Sequence, residues 1–91
     1  MQDNSGEVDM PWKDIVWNLE EDGNVAHIAE NGLSVGEVEQ VVTNAQKFGR
    51  SRSSGRPILF GYTASGDYVC VVYEEIDEIT IYPVTAYILE E

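Results

Sequence analysis

The chain has 91 residues, 43% of them hydrophobic, and 17 acidic residues against five basic ones give a net charge of −12. That length sets a single domain; one Cys excludes an internal disulfide framework, and one Cys with one His falls short of a zinc site. The acidic balance works against non-specific nucleic-acid binding, because such a body repels phosphates within a Debye length of about 8–10 Å, and no apolar run approaches the roughly 20 residues of a membrane span.

Residues 1–11 are polar, acidic and aperiodic, and predict a disordered tail extended by Pro11. The opening MQDNSGEVD is unlike a signal peptide, so the expectation is a soluble cytoplasmic protein with one folded domain over 12–91. Trp12 to Trp17 (WKDIVW) predicts a short strand from its aromatic and β-branched residues. Asn18 and Glu21 have the spacing of a capping box, which predicts a helix carrying Val25, Ala26, Ile28 and Ala29 and closing at Asn31-Gly32. Ser34 and Glu37 repeat that spacing ahead of a stripe of Val35, Val38, Val41, Val42 and Ala45, the clearest helix in the chain.

The period then changes. Lys47 to Arg56, rich in Gly, Ser and Arg, reads as a mobile loop or an irregular strand with an arm. Pro57 to Thr63 predicts a strand, Ala64 to Asp67 a turn, and the apolar run Tyr68 to Tyr73 a central strand covered on both faces. Glu74 to Glu78 reads as an acidic turn. Ile79 to Tyr87 is the last strand, with Pro83 pointing to an edge position or a bulge. The order β-α-α-β-β-β implies an α+β domain, two helices packed on one face of a mostly antiparallel sheet. Its expected core is Ile28, Val35, Val38, Val42, Phe60, Val69, Val71 and Ile81.

Charge is distributed unevenly. Lys47, Arg50, Arg52 and Arg56 fall within ten residues, and no Asp or Glu occurs from Gln40 to Gly66. Such a segment could hold phosphate, nucleic acid or a partner's carboxylates, with Tyr62 beside it, or it could be a solvated arm. Metal-free RNA cleavage requires a base for the 2′-hydroxyl, cations on the phosphorane and an acid for the leaving oxygen. Arg50, Arg52 and Arg56 could supply the cations, Glu74 or Glu75 the base, and Tyr62 or Tyr87 the orienting hydroxyl. His27 has the one side chain that ordinarily titrates near neutrality, and it lies off the apolar stripe. The bland alternatives are a solvated acidic turn and a surface histidine. Cys70, inside YVCVVY, reads as a buried small hydrophobe. Gly61 to Gly66 has the glycine spacing of a phosphate-binding loop, but Asp67 stands where that motif needs Lys. The late tyrosines read as sheet packing or, where exposed, as a partner-binding face.

Trp17 to Val42 and then Gly55 to Ala86 together resemble the BrnT-like family, the toxin half of type II toxin–antitoxin pairs. The resemblance rests on the strand ending at Trp17, NVAHIAENGLS, SVGEVEQVV, the Gly-Arg before a strand, the Gly61 to Tyr73 hairpin and the closing VTA at Val84 to Ala86. It implies a RelE-like fold, no cofactor or metal, RNA cleavage in active members and a small antitoxin as partner. Where the family has a basic residue and a His before the helix-ending Gly, this chain has Glu30 and Asn31. Where the family ends in an Arg-rich segment, this chain has Tyr87-Ile-Leu-Glu-Glu91. The expectation is a toxin-like component that binds a small antitoxin-like protein, with ribonuclease activity weakened or lost. Two alternatives stand beside it: an active ribonuclease gripping RNA at the basic loop, and a stand-alone acidic interaction module.

Overall fold

The computed structural model describes residues 14–89. The predicted tail, and Trp12 and Lys13 of the predicted first strand, lie outside the described residues. The elements are β1 (Asp14–Ile15), α1 (Asn24–Glu30), α2 (Val35–Thr43), β2 (Lys47–Arg50), β3 (Pro57–Tyr62), β4 (Tyr68–Asp77) and β5 (Thr80–Leu89). They form one α+β unit whose five-stranded sheet runs β1-β5-β4-β3-β2. All neighbours are antiparallel except β1 with β5, which makes the sheet mixed.

α2 forms as its sequence dictates. Ser34 Oγ accepts from the Glu37 N–H at 3.3 Å, and Glu37 Oε1 accepts from the Ser34 N–H at 2.9 Å. Both arms of the box therefore satisfy donors that a helix start leaves open. The stripe at Val38, Val41 and Val42 is buried. α1 departs from expectation: it starts at Asn24 behind Gly23, without a side-chain cap. Asn18 Oδ1 instead accepts from the Glu20 N–H, and a turn returns the Gly23 N–H to the Glu20 carbonyl. Gly23 packs so closely on this turn that a Cβ there would lie 2.3 Å from the Asn18 carbonyl oxygen. Close packing, rather than an Asn18–Glu21 box, sets where the helix begins.

Asn24 holds that corner together. It is fully buried; its Oδ1 accepts from the Asn18 N–H at 2.7 Å, and its Nδ2 donates to the Val16 and Pro83 carbonyls at 2.9 and 2.8 Å. One side chain thereby joins the β1 exit, α1 and β5. Asn31, the C-cap of α1, ties the other end by donating to the Ala86 carbonyl at 2.9 Å.

The sheet corrects two readings. Lys47 to Arg50 is a regular strand, because its register with β3 runs from Lys47↔Phe60 to Arg50↔Pro57. Glu74 to Asp77 continue β4 rather than turning, since β5 pairs with them from Tyr82 back to Thr80 while their side chains stay in water. Pro83 meets both sides of its expectation: Val72 faces Thr85 but Tyr73 faces Pro83, leaving Val84 unmatched as a bulge, and β1 pairs only with Thr80 and Ile81, so among the described residues no strand flanks Pro83 on that side.

Both helices lie on one face. Their Ile28, Val38, Val41 and Val42, with Leu33 of the link between them, pack with Leu59, Val69, Val71, Tyr73, Ile81 and Ala86 of the sheet into one core. Val35, expected in that core, is a half-buried flank, and Phe60 points the other way. Gly61 lets α2 close on β3, for a Cβ there would meet the Val41 and Asn44 carbonyl oxygens at 3.0 and 3.3 Å.

Candidate binding surface

Side chains alternate across a strand. With Ile58↔Val72, Phe60↔Cys70, Tyr62↔Tyr68 and Cys70↔Tyr87 paired, those residues share the face opposite the helices. No helix among the described residues lies over it. The Phe60 and Tyr68 rings stack at 5.9 Å, and Tyr62 tilts onto Tyr68 at 4.7 Å. Tyr62 and Tyr87 remain 39% and 40% exposed, so the face is aromatic surface rather than a second core. β4 is thus central, as its apolar run predicts, but helices cover only one of its faces.

Cys70 is nonetheless 1% exposed, closed in by its own sheet neighbours. Burial pushes its thiol up, opposed by a hydrogen bond with Tyr87. The Tyr87 phenol is also raised, first by that bond and then by burial. On the helix side, burial raises the Tyr73 phenol, the Glu75 charge adds to this, and Arg50 works against it.

The basic segment is a hairpin closed by its own polar groups. The Ser51 N–H donates to the Arg56 carbonyl and the Gly55 N–H to the Ser51 carbonyl, each at 2.8 Å, and Gly55 adopts φ +74°. Ser51 Oγ accepts from the Ser54 N–H, and Ser54 Oγ from the Arg56 N–H, each at 3.3 Å. Arg50 Nη1 reaches the Gly55 carbonyl at 2.9 Å. Arg56 Nε pairs with Glu74 Oε2 at 2.9 Å in a half-exposed ion pair. Lys47 and Arg52 are exposed.

The residues weighed for RNA cleavage therefore divide. Arg56, Glu74, Tyr62, Tyr87 and Lys47 belong to the open face or its rim. Arg50 falls, by the Arg50↔Pro57 register, on the helix side. His27 is exposed on α1, in the layer across the sheet from Tyr87. Arg56 and Glu74 thus meet on one face, while Arg50 and His27 lie on the other. Among the described residues, no group of three His, Cys, Asp or Glu could hold a metal ion, and no helix is long and apolar enough to cross a membrane.

A feature the sequence does not announce lies past the Tyr62 end of the face, where α2 meets the end of β3. A shallow cleft of about 390 Å³ is lined by Gln40, Asn44, Gln46, Tyr62, Thr63 and Ala64, none of them charged. Gln40 Oε1 accepts from the Ala64 N–H at 3.0 Å, and Asn44 Nδ2 donates to the Gln40 carbonyl at 3.0 Å. Its lining comes from α2, the α2–β2 link and the end of β3, so no local pattern marks it. No protein-family model matches the chain, and no curated protein or solved structure matches it significantly.

Proposed function

We propose that this domain is the toxin-like component of a two-protein pair, acting by binding a small antitoxin-like protein through its open sheet face. The observation that carries the reading is that face: five aromatic rings, those of Phe60, Tyr62, Tyr68, Tyr82 and Tyr87, on one side of a sheet whose two described helices pack on the other. An apolar surface rimmed by polar groups is where a partner recovers hydrophobic free energy. The resemblance to BrnT-like proteins supplies the kind of partner, and a RelE-like fold is consistent with two helices placed ahead of an antiparallel meander.

The same geometry favours weakened or absent ribonuclease activity. Glu74 occupies Arg56, and the Gly55 carbonyl occupies Arg50. His27 stands in the other layer. Asn31, at the position where the family has a His, serves as a tie to β5.

The test uses the purified chain alone and with the small protein encoded beside it. The expected result is no RNA cleavage by the free chain, and a stable complex that Tyr62→Ser with Tyr87→Ser weakens at least tenfold. Partner-free protein that degrades RNA without added metal, and stops when Arg50, Arg52 and Arg56 are replaced by Ala, would overturn the reading.

A further inference from the structure

The open face changes character along β3. Arg56 precedes the strand. Ile58, Phe60 and Tyr62 point outward at alternate positions, and Thr63 and Ala64 line the cleft. At about 3.3 Å per residue, the strip from Arg56 to Ala64 spans roughly 26 Å. It has three chemistries in order: guanidinium, aromatic and aliphatic surface, and uncharged amides.

Charge sharpens this order. Glu20, Glu21, Asp22, Glu30, Glu37 and Glu39 belong to the helical layer and its loops, and Asp77 and Glu78 lie at the β4–β5 turn. Beside the strip, Lys47, Arg52 and Arg56 are answered by Glu74. Arg52 and Arg56 thus stand at one end of the strip, Lys47 flanks Phe60 in its middle, and Asp67 lies beyond the other end in the β3–β4 turn.

We infer that this strip is the docking track for one extended segment of the partner protein, of about eight residues. Its acidic end meets Arg52 and Arg56, with a carboxylate exchanging for Glu74 on the Arg56 guanidinium. Its apolar side chains, at every second position, cover Ile58, Phe60 and the Tyr62–Tyr68 pair. Its uncharged polar end rounds the end of β3 into the cleft on the α2 side, where the Gln46 and Asn44 amides meet backbone or amide groups. The inference rests on the reading that the open face meets a protein, and adds the partner's charge and direction. Nucleic acid fits less well, since it carries a phosphate at every nucleotide, while Glu74 already pairs with Arg56 and Lys47 is, among the described residues, the one cation along the apolar middle of the strip. A second copy would set −12 against −12 and cation against cation.

The test measures fluorescence anisotropy of labelled nonapeptides against the full chain. Each has Asp-Glu at one terminus, Ile, Phe and Leu alternating with Ser or Thr, and Asn-Gln at the other; both chain directions are used. One direction is expected to bind, and replacing Asp-Glu by Lys-Lys should weaken it at least tenfold. Arg52→Ala with Arg56→Ala, and separately Tyr62→Ser, should each weaken binding tenfold, whereas Glu74→Gln should tighten it by freeing Arg56. Circular dichroism of these surface variants controls for folding. Lys-Lys peptides binding equally well would overturn the charge assignment while leaving the partner reading intact. Failure of every peptide, tighter binding of a single-stranded ten-nucleotide RNA, or self-association in sedimentation at the same concentrations would overturn the track itself.

Discussion

Asn24 shows how much one residue can decide. Its amide is the partner of three backbone groups belonging to residues 16, 18 and 83, and a buried polar group without its partner costs about 1–3 kcal/mol. Asn24→Leu is expected to lower stability by about 3 kcal/mol, read as a reduced urea midpoint with an unchanged slope. Gly23 makes a second case. Its φ of −77° suits any residue, yet a Cβ would press on the Asn18 carbonyl. Gly23→Ala should therefore cost about 1–3 kcal/mol through displaced backbone, which thermal unfolding would register as a lower midpoint. Neither residue was legible in the sequence. An Asn in NVAHIAE reads as an ordinary helical polar residue, because its partners sit in a loop and in a strand 59 positions away.

Elements were legible where local signals and tertiary packing agree. Around α2, cap and apolar period point to one helix with one buried face. Ser34→Ala should cost about 1 kcal/mol, and Val38→Asp should abolish cooperative unfolding, because an unpaired carboxylate cannot be held in the core. A soluble Val38→Asp protein with a sharp transition would show the packing face to be wrong. The same capping spacing at Asn18 and Glu21 misled, since Gly23 and Asn24 offered the chain a better-packed corner. β2 was half legible. All four of its residues are exposed, so it has no apolar alternation to read and only its ladder with β3 makes it a strand. The acids of Glu74 to Asp77 imitate a turn for the same reason. Hydrogen exchange should accordingly be fastest in the hairpin turn around Arg52 and Ser53, with the Ser51 amide, bonded to Arg56, markedly slower.

At the scale of the whole molecule, the buried Cys70 thiol and Tyr73 phenol and the half-exposed Tyr87 phenol shape the response to alkali. Cys70, Tyr73 and Tyr87 are all raised in the folded state. The unfolded chain therefore loses those protons first. Their stabilisation is complete below the onset of unfolded-state ionisation, near pH 8 to 8.5 for the thiol and about 10 for the phenols, and is lost as pH rises through the folded values. Urea midpoints should hold from pH 7 to 8 and fall at 9.5 and 10.5, with Cys70→Ala removing the earliest part of the decline. Of the candidate site, the cations and the tyrosines were visible in the sequence. Their separation onto two faces was not, because it depends on strand register, and neither was the cleft, which needs α2 laid across Gly61. The parallel pairing of Asp14 and Ile15 with Thr80 and Ile81 also orders events in time. β2 to β5 form a meander of successive neighbours, which can zip from local contacts, whereas β1 must close nearly the whole chain into a loop. During synthesis the first strand leaves the ribosome with no partner in existence, and it waits until β5 has cleared the exit tunnel. The expected order is that β1 docks after the β2–β5 meander has formed.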